Sequence, residues 1–444
     1  MNTQNHGMSR RSFLKFTGSM AAMSLLAQSR LVQAASVGDY KALVCIFLAG
    51  GNDASNTVIP MDSTRYNAYL NIRGNLALKG NQLLPGIVDA QGNPYALHYG
   101  LPELNNQFQA GRLAVILNTG NLAKPLTRTQ FLQGQTAPSN LFSHPDQTEQ
   151  AQAASVKPNG SGWGGRLMDT LDPSLVSSVD AISFAGPATF PQGKIVSSNA
   201  IPGGGMLALS GVNWWPSTQV SPSLTGIKNG LVQNGGSQLR QVVNRIFDDG
   251  LTLATDLQAA GSASLNTQFP STGLGNQLRD IARMIKSRSA KGPGRQVFFC
   301  SLGGFDTHSS QSWNHWDLLS QLSAAMDAFD TAMQEINLAE QVVAFTQSEF
   351  GRTLQPSGTG TDHGWGGHHF VLGGSVVGGV YGTMPQYVLG GPDDANSRGV
   401  WIPTLSTDQY AATLGQWFGI DSQDLSLAFP NLQAFPAGNI GFMA

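Results

Sequence analysis

Four stretches of the chain are apolar almost without interruption and then turn abruptly to glycine and polar residues. They are "ALVCIFLAGGND" (Ala42–Asp53), "RLAVILNTG" (Arg112–Gly120), "QVFFCSLGGFDTH" (Gln296–His308) and "QVVAFTQSEFG" (Gln341–Gly351). A strand that never meets water needs no polar face, so such runs predict a parallel sheet covered on both sides. Between the last two, Trp316, Leu319, Leu322, Met326, Phe329, Met333 and Ile336 recur at intervals of three and four, the stripe of one helix face. Gln296 to Thr346 therefore reads as a strand–helix–strand unit with a right-handed crossover. "GNQLRDIARMIKSR" (Gly275–Arg288) predicts another helix just ahead of it.

The middle of the chain breaks this pattern. From about 156 to 272 it is rich in Gly, Ser, Pro and Asn, with one helical stretch near "SQLRQVVNRIFDDGLTLATDLQAA". No fixed-period repeat and no clean linker appears, so residues 35–444 are expected to form a single α/β domain with an insertion or cap at 156–272. The first 34 residues stand apart. "SRRSFLK" (Ser9–Lys15) is a twin-arginine signal, followed by a short apolar segment and the small-residue cleavage site "VQA". The segment is too short to span a bilayer, so no stable membrane anchor is expected.

Charge narrows the partners. The first 34 residues carry four of the 25 bases and none of the 27 acids, which leaves 21 bases against 27 acids and a net charge of −6. Such a surface repels nucleic acid and anionic lipid. The expected location is the periplasm, reached already folded, with the twin-arginine translocase as the export partner. The two cysteines, Cys45 and Cys300, each sit inside an apolar run without metal or redox spacing, and read as unpaired buried thiols.

In open α/β sheets, ligands bind beyond the carboxyl ends of the strands. Asp53, Asp306, His308 and Glu349 stand at such ends, and "GTDHGWGGHH" adds Asp362, His363, His368 and His369. Carboxylate oxygen and imidazole nitrogen are the donors that hold divalent metals in hydrolytic sites. In an extended segment His368 and His369 face opposite ways, and His368 is the one assigned to the site. His98 and His315, outside these runs, read as packing residues.

The chain resembles the DUF1501 family, itself similar to the alkaline phosphatase, sulfatase and phosphoglycerate mutase superfamily. The resemblance is carried by "LAGGNDASNTVIP", "NLFSHPDQ", "GGFDTH", "SEFGRT", "GTDHGWGGHHFVLGG" and "QYAATLGQWFG". It implies an alkaline-phosphatase-like α/β fold, with a mostly parallel central sheet and helices on both faces. It also implies one or two divalent ions (Zn, Mg, Mn or Ca) beside a Ser or Thr nucleophile. By this resemblance Asp53, Asp306, His308, Glu349 and His363, with Asp362 beside it, are candidate ligands, and His368 joins them from the strand alternation above. The departures are the tight spacing of Asp306 and His308, and Phe350, where relatives often carry histidine.

Ser143 is the candidate nucleophile, placed to cap a helix with Pro145 in its first turn; the hydroxyl either attacks or only caps. Thr127 is the reserve. Arg352 either binds an oxyanion or orients Glu349, and Trp365 either stacks on substrate or packs. A sulfatase frame of the form C/S-x-P-x-R is not found. The function expected is a periplasmic metal-dependent hydrolase or transferase acting on a phosphate, or a sulfate, ester of a small molecule or glycan. The alternative is a non-catalytic metal- or carbohydrate-binding module of an envelope or secretion assembly.

Overall fold

The computed structural model describes residues 40–135, 137–201 and 238–444. The expected export segment at 1–34 and much of the Gly- and Ser-rich middle therefore lie outside the described residues. The strands are β1 (Tyr40–Ala49), β2 (Val58–Pro60), β3 (Leu83–Val88), β4 (Pro94–His98), β5 (Leu113–Gly120), β6 (Ala181–Ser183), β7 (Asn199–Ala200), β8 (Gly294–Gly303), β9 (Val342–Gln347), β10 (Gly367–Leu372), β11 (Gly379–Tyr381) and β12 (Leu405–Ser406). Nine of them form one sheet in the order β11-β5-β10-β9-β1-β8-β6-β7, with β12 beside β5. β2, β4 and β3 make a small antiparallel sheet.

The fold is mixed α/β with a mostly parallel central sheet, as the unbroken apolar runs predict. β1 pairs in parallel with β8 and β9, and β8 with β6. β10 runs antiparallel to both of its neighbours, β5 and β9. Along β1 the side chains alternate between two cores. Ala42, Val44, Ile46 and Leu48 join the helices Gly273–Ser289 and Gln311–Glu335 on one face. Leu43, Cys45 and Phe47 join the helices Trp163–Thr170 and Thr407–Phe418 on the other.

Two features were not readable from periodicity. The stretch expected as an insertion contributes β6 and β7 to the sheet itself, beyond β8. At three and two residues these strands are too short to show a pattern. The antiparallel sense of β10 follows from its entry at the edge where its neighbours end, since Gly367 lies opposite Thr119 near the end of β5.

The register of β1 against β8 sets Cys45 opposite Phe299 and Ile46 opposite Cys300. The two thiols are one step out of phase, so they lie in different cores. Both are free and fully buried, and burial pushes both thiols up in pKa. A thiol reagent is therefore expected to find no reactive group in the native protein and both after unfolding. A fast-reacting native thiol would contradict this packing.

Candidate metal centre

Parallel pairing brings three strand ends to one edge. Ala49 stands opposite Gly303 and Phe47 opposite Gln347, so the segments that follow β1, β8 and β9 leave the sheet together. Their glycines make close approach feasible. Gly50 has φ +117°, and a Cβ there would lie 2.3 Å from the backbone nitrogen of Asp306; only glycine fits. Its N–H donates to Glu349 Oε1 at 2.7 Å.

Asp306 is the hub. Arg352, fully enclosed, donates to its Oδ1 at 2.7 Å. Burial would raise this carboxyl, but the Arg352 hydrogen bond and charge outweigh burial and hold it below the usual range. Three imidazoles face the same carboxylate. His308 Nε2 lies 2.9 Å and His363 Nε2 3.2 Å from Oδ1, and His144 Nε2 lies 3.4 Å from Oδ2. His308 Nε2 and His363 Nε2 are 3.1 Å apart.

Each ring is held from its other nitrogen. His144 Nδ1 lies 3.0 Å from Glu349 Oε1, His363 Nδ1 2.8 Å from the carbonyl of Phe142, and His308 Nδ1 3.4 Å from Asp362 Oδ1. These partners only accept, and so does Asp306, so each ring either donates from both nitrogens as an imidazolium or, when neutral with its proton on Nδ1, turns an Nε2 lone pair inward, where a cation can take it. Asp362 is itself held by Arg398 at 2.6 Å. Burial pushes its carboxyl up, and Arg398 more than reverses this. Phe350 closes the floor, its ring stacked on His363 at 4.7 Å and tilted against His144 at 4.9 Å.

In the neutral state, three nitrogen lone pairs turned on one carboxylate repel it and each other unless a cation lies among them, whereas the protonated rings donate to Asp306. One ligand atom from each of His144, Asp306 and His363 lies within 4.8 Å of the others. Within this group His363 Nε2 lies 3.2 Å from Oδ1 and His144 Nε2 3.4 Å from Oδ2 of Asp306, close to the edge of a tetrahedron, roughly 3.3 Å for metal–ligand bonds of about 2.0–2.1 Å. Nδ1 anchoring by carboxylate or carbonyl is the usual support of a metal-binding histidine. The donor set fits a divalent ion such as zinc.

The structure thus gathers Asp306, His308, Glu349, Arg352, Asp362 and His363, with Glu349 and Asp362 behind the histidines. Asp53 is turned elsewhere: Oδ2 takes Arg73 and Gln311, and its other oxygen has no hydrogen-bond partner among the described residues. His368 is buried in β10, its Nδ1 accepting from the Asn118 N–H at 3.0 Å, and burial lowers its pKa to about 4. Neither contacts the cluster through a hydrogen bond or ion pair. Ser143 stands at the start of the helix His144–Ala153, where its hydroxyl donates to Asp146. Arg352 serves Asp306, not Glu349. Thr127 caps the exposed helix Arg128–Leu132, and Trp365 packs against Phe131. His369 stacks on Tyr410, while His98 and His315 pair edge to face away from the cluster.

His144 is the cluster residue that the sequence reading passed over. It lies inside the quoted motif "NLFSHPDQ", beside the serine that drew attention, and its helix N-terminal position was the available signal.

The fold and cluster define a mixed α/β protein with an imidazole–carboxylate centre at a sheet edge. Residues 221–431 match the model of the DUF1501 family, described as a protein of unknown function. No curated protein matches the chain. Among solved structures, it is similar to a sulfatase from Pseudoalteromonas sp. (9% identity, 90% of this chain and 72% of the other, TM-score 0.33). It is also similar to a phosphonate monoester hydrolase from Silicibacter pomeroyi (9%, 86% and 74%, TM-score 0.31). A third is Ps i-CgsB in complex with k-i-k-neocarrahexaose (7%, 88% and 74%, TM-score 0.36). At such low TM-scores the functional reading rests on the cluster itself.

The hydrogen bond to Glu349 raises the pKa of His144; burial opposes it, and Asp306 adds to it. Without metal, the stability this contributes is full below about pH 6.5 and is lost as pH rises through the higher folded value. Urea midpoints of chelator-treated protein should fall across that window, and His144→Gln should flatten that fall. Identical slopes for the two proteins would contradict the assignment.

Proposed function

We propose that the protein is a divalent-metal-dependent hydrolase or transferase of phosphate or sulfate esters. The observation that carries this is the convergence of three Nδ1-anchored imidazoles on Asp306. His144, Asp306 and His363 would hold the ion, with His308 beside them. When bound, the ion would polarise an ester oxygen and lower the pKa of an attacking hydroxyl or water. The chain's own residues set the geometry: Glu349 orients His144, Arg352 fixes Asp306, and Asp362 with Arg398 steadies His308. Ser143, next to His144 in the chain, is the candidate nucleophile, and Asp146 receives its proton's hydrogen bond. The bonds from Ser143 and Asn140 keep the Asp146 carboxyl below its usual range, which suits orientation of the hydroxyl better than removal of its proton.

The substrate would be a small-molecule or glycan ester met in the periplasm, after export by the twin-arginine translocase. Among the described residues, no helix is long and apolar enough to cross a membrane.

A second reading, a non-catalytic metal- or carbohydrate-binding module of the envelope, is favoured by two side chains. Arg352 is spent on Asp306, Gly50 O and Thr361, leaving it poorly placed to meet an oxyanion. Phe350 fills floor space where a further histidine would sit.

Elemental analysis of the purified, exported protein should find a divalent ion, and a panel of phosphate and sulfate esters should reveal turnover. Asp306→Ala should abolish both while the far-ultraviolet circular dichroism stays native. Bound metal with no turnover across the panel would support the second reading, and a metal-free native protein would sink the hydrolase reading and leave only the carbohydrate-binding form of the second.

A further inference from the structure

The helix His144–Ala153 has the candidate centre at its first residue and a second feature at its last. Just past Ala153 opens a cavity of about 400 Å³ lined in part by Ser155, Lys157, Asn159, Arg166, Lys194 and Asn431. Its described lining contains three cations and no acid, in a chain that is net negative beyond the export segment.

Arg166 is buried and, among the described residues, anchored without a bonded carboxylate. Its Nε donates to Ala428 O at 2.8 Å, Nη1 to Ser161 O at 2.8 Å and Nη2 to Ala153 O at 2.5 Å. Carbonyl partners fix a guanidinium but do not cancel its charge. Burial lowers its pKa only to about 10, so it stays charged at neutral pH. The acids nearest it by electrostatics are occupied. Asp169 accepts three backbone N–H groups, from Lys194, Ile195 and Val196. Asp408 is deeply buried and accepts from the Asn431 N–H. Lys157 and Lys194 are exposed, and neither ammonium has a hydrogen-bond or ion-pair partner among the described residues.

We propose that this cavity is an anion subsite that holds a second sulfate or phosphate group of a polyanionic substrate. The helix spans ten residues, so the subsite lies about 15 Å along it from the candidate centre. That spacing suits an oligosaccharide carrying more than one charged ester. A fixed guanidinium at the back and two mobile ammoniums at the mouth give shape at one side and adaptability at the other. The identity of the group as an ester rests on the proposed function; the anion site itself does not.

The test separates the two. Calorimetric titration with inorganic sulfate at low ionic strength, on wild type and on Asp306→Ala, should show binding in both, weakening with added salt. The double variant Lys157→Ser/Lys194→Ser should weaken it about tenfold or more, while metal content is unchanged. The same variant should raise KM for a disulfated disaccharide by a similar factor, leaving kcat, and the turnover of p-nitrophenyl sulfate, as in wild type. Sulfate binding that ignores the two lysines would overturn the proposal. Lysine-dependent sulfate binding without any ester turnover would sustain the subsite and refute the hydrolase reading instead.

Discussion

Everything at the candidate centre depends on the in-register parallel pairing of β1 with β8 and β9. Ala49 opposite Gly303 and Phe47 opposite Gln347 mean that three strands end at the same level. Their following segments carry Gly50, Asp306 and Glu349, and Gly50 meets the other two, more than 250 positions further along the chain, through one close backbone contact and one hydrogen bond. A one-residue slip of β8 would turn its apolar side chains to the opposite faces and carry Asp306 away from Arg352. The two apolar cores on either side of the sheet fix that register, because Val44 and Ile46 belong to one and Cys45 and Phe47 to the other. Core packing and site geometry are therefore one constraint.

On that platform the electrostatics become specific. Arg352 keeps Asp306 ionised and aimed, and acceptors behind His144, His308 and His363 leave their Nε2 atoms facing inward. Phe350 makes the arrangement rigid by packing on two of those rings. The residue that departs from the pattern of relatives is thus part of the support for the histidines that are present. A phenyl ring also excludes water from one side of the cluster, which strengthens the charge interactions there.

The fold was largely legible because a buried parallel strand must be apolar throughout, and four such runs announce themselves. Much of the candidate site was legible for a related reason: acids and histidines following such runs after glycine have few structural uses. The rest was hidden in contacts that leave no local mark. Asp53 stands at a strand end like Asp306, yet Arg73, twenty residues on, takes its carboxylate; nothing near "GGND" announces that partner. His144 was masked by Ser143, whose hydroxyl suggested chemistry while the imidazole beside it entered the cluster. β6 and β7 were too short for periodicity, so the segment that bears them resembled a loop. The cation-lined cavity is assembled from Lys157, Arg166 and Lys194, which no motif links.

The central claim is that three histidines present Nε2 lone pairs to one carboxylate, ready for a cation. Nitrogen-15 NMR of the imidazoles in metal-free protein, followed by zinc titration, tests it most directly. His144, His308 and His363 should appear as Nδ1–H tautomers when neutral, and the Nε2 signals of His144 and His363 should shift on addition of about one equivalent of zinc. Nε2–H tautomers at His144 and His363, or Nε2 signals indifferent to zinc, would contradict the account.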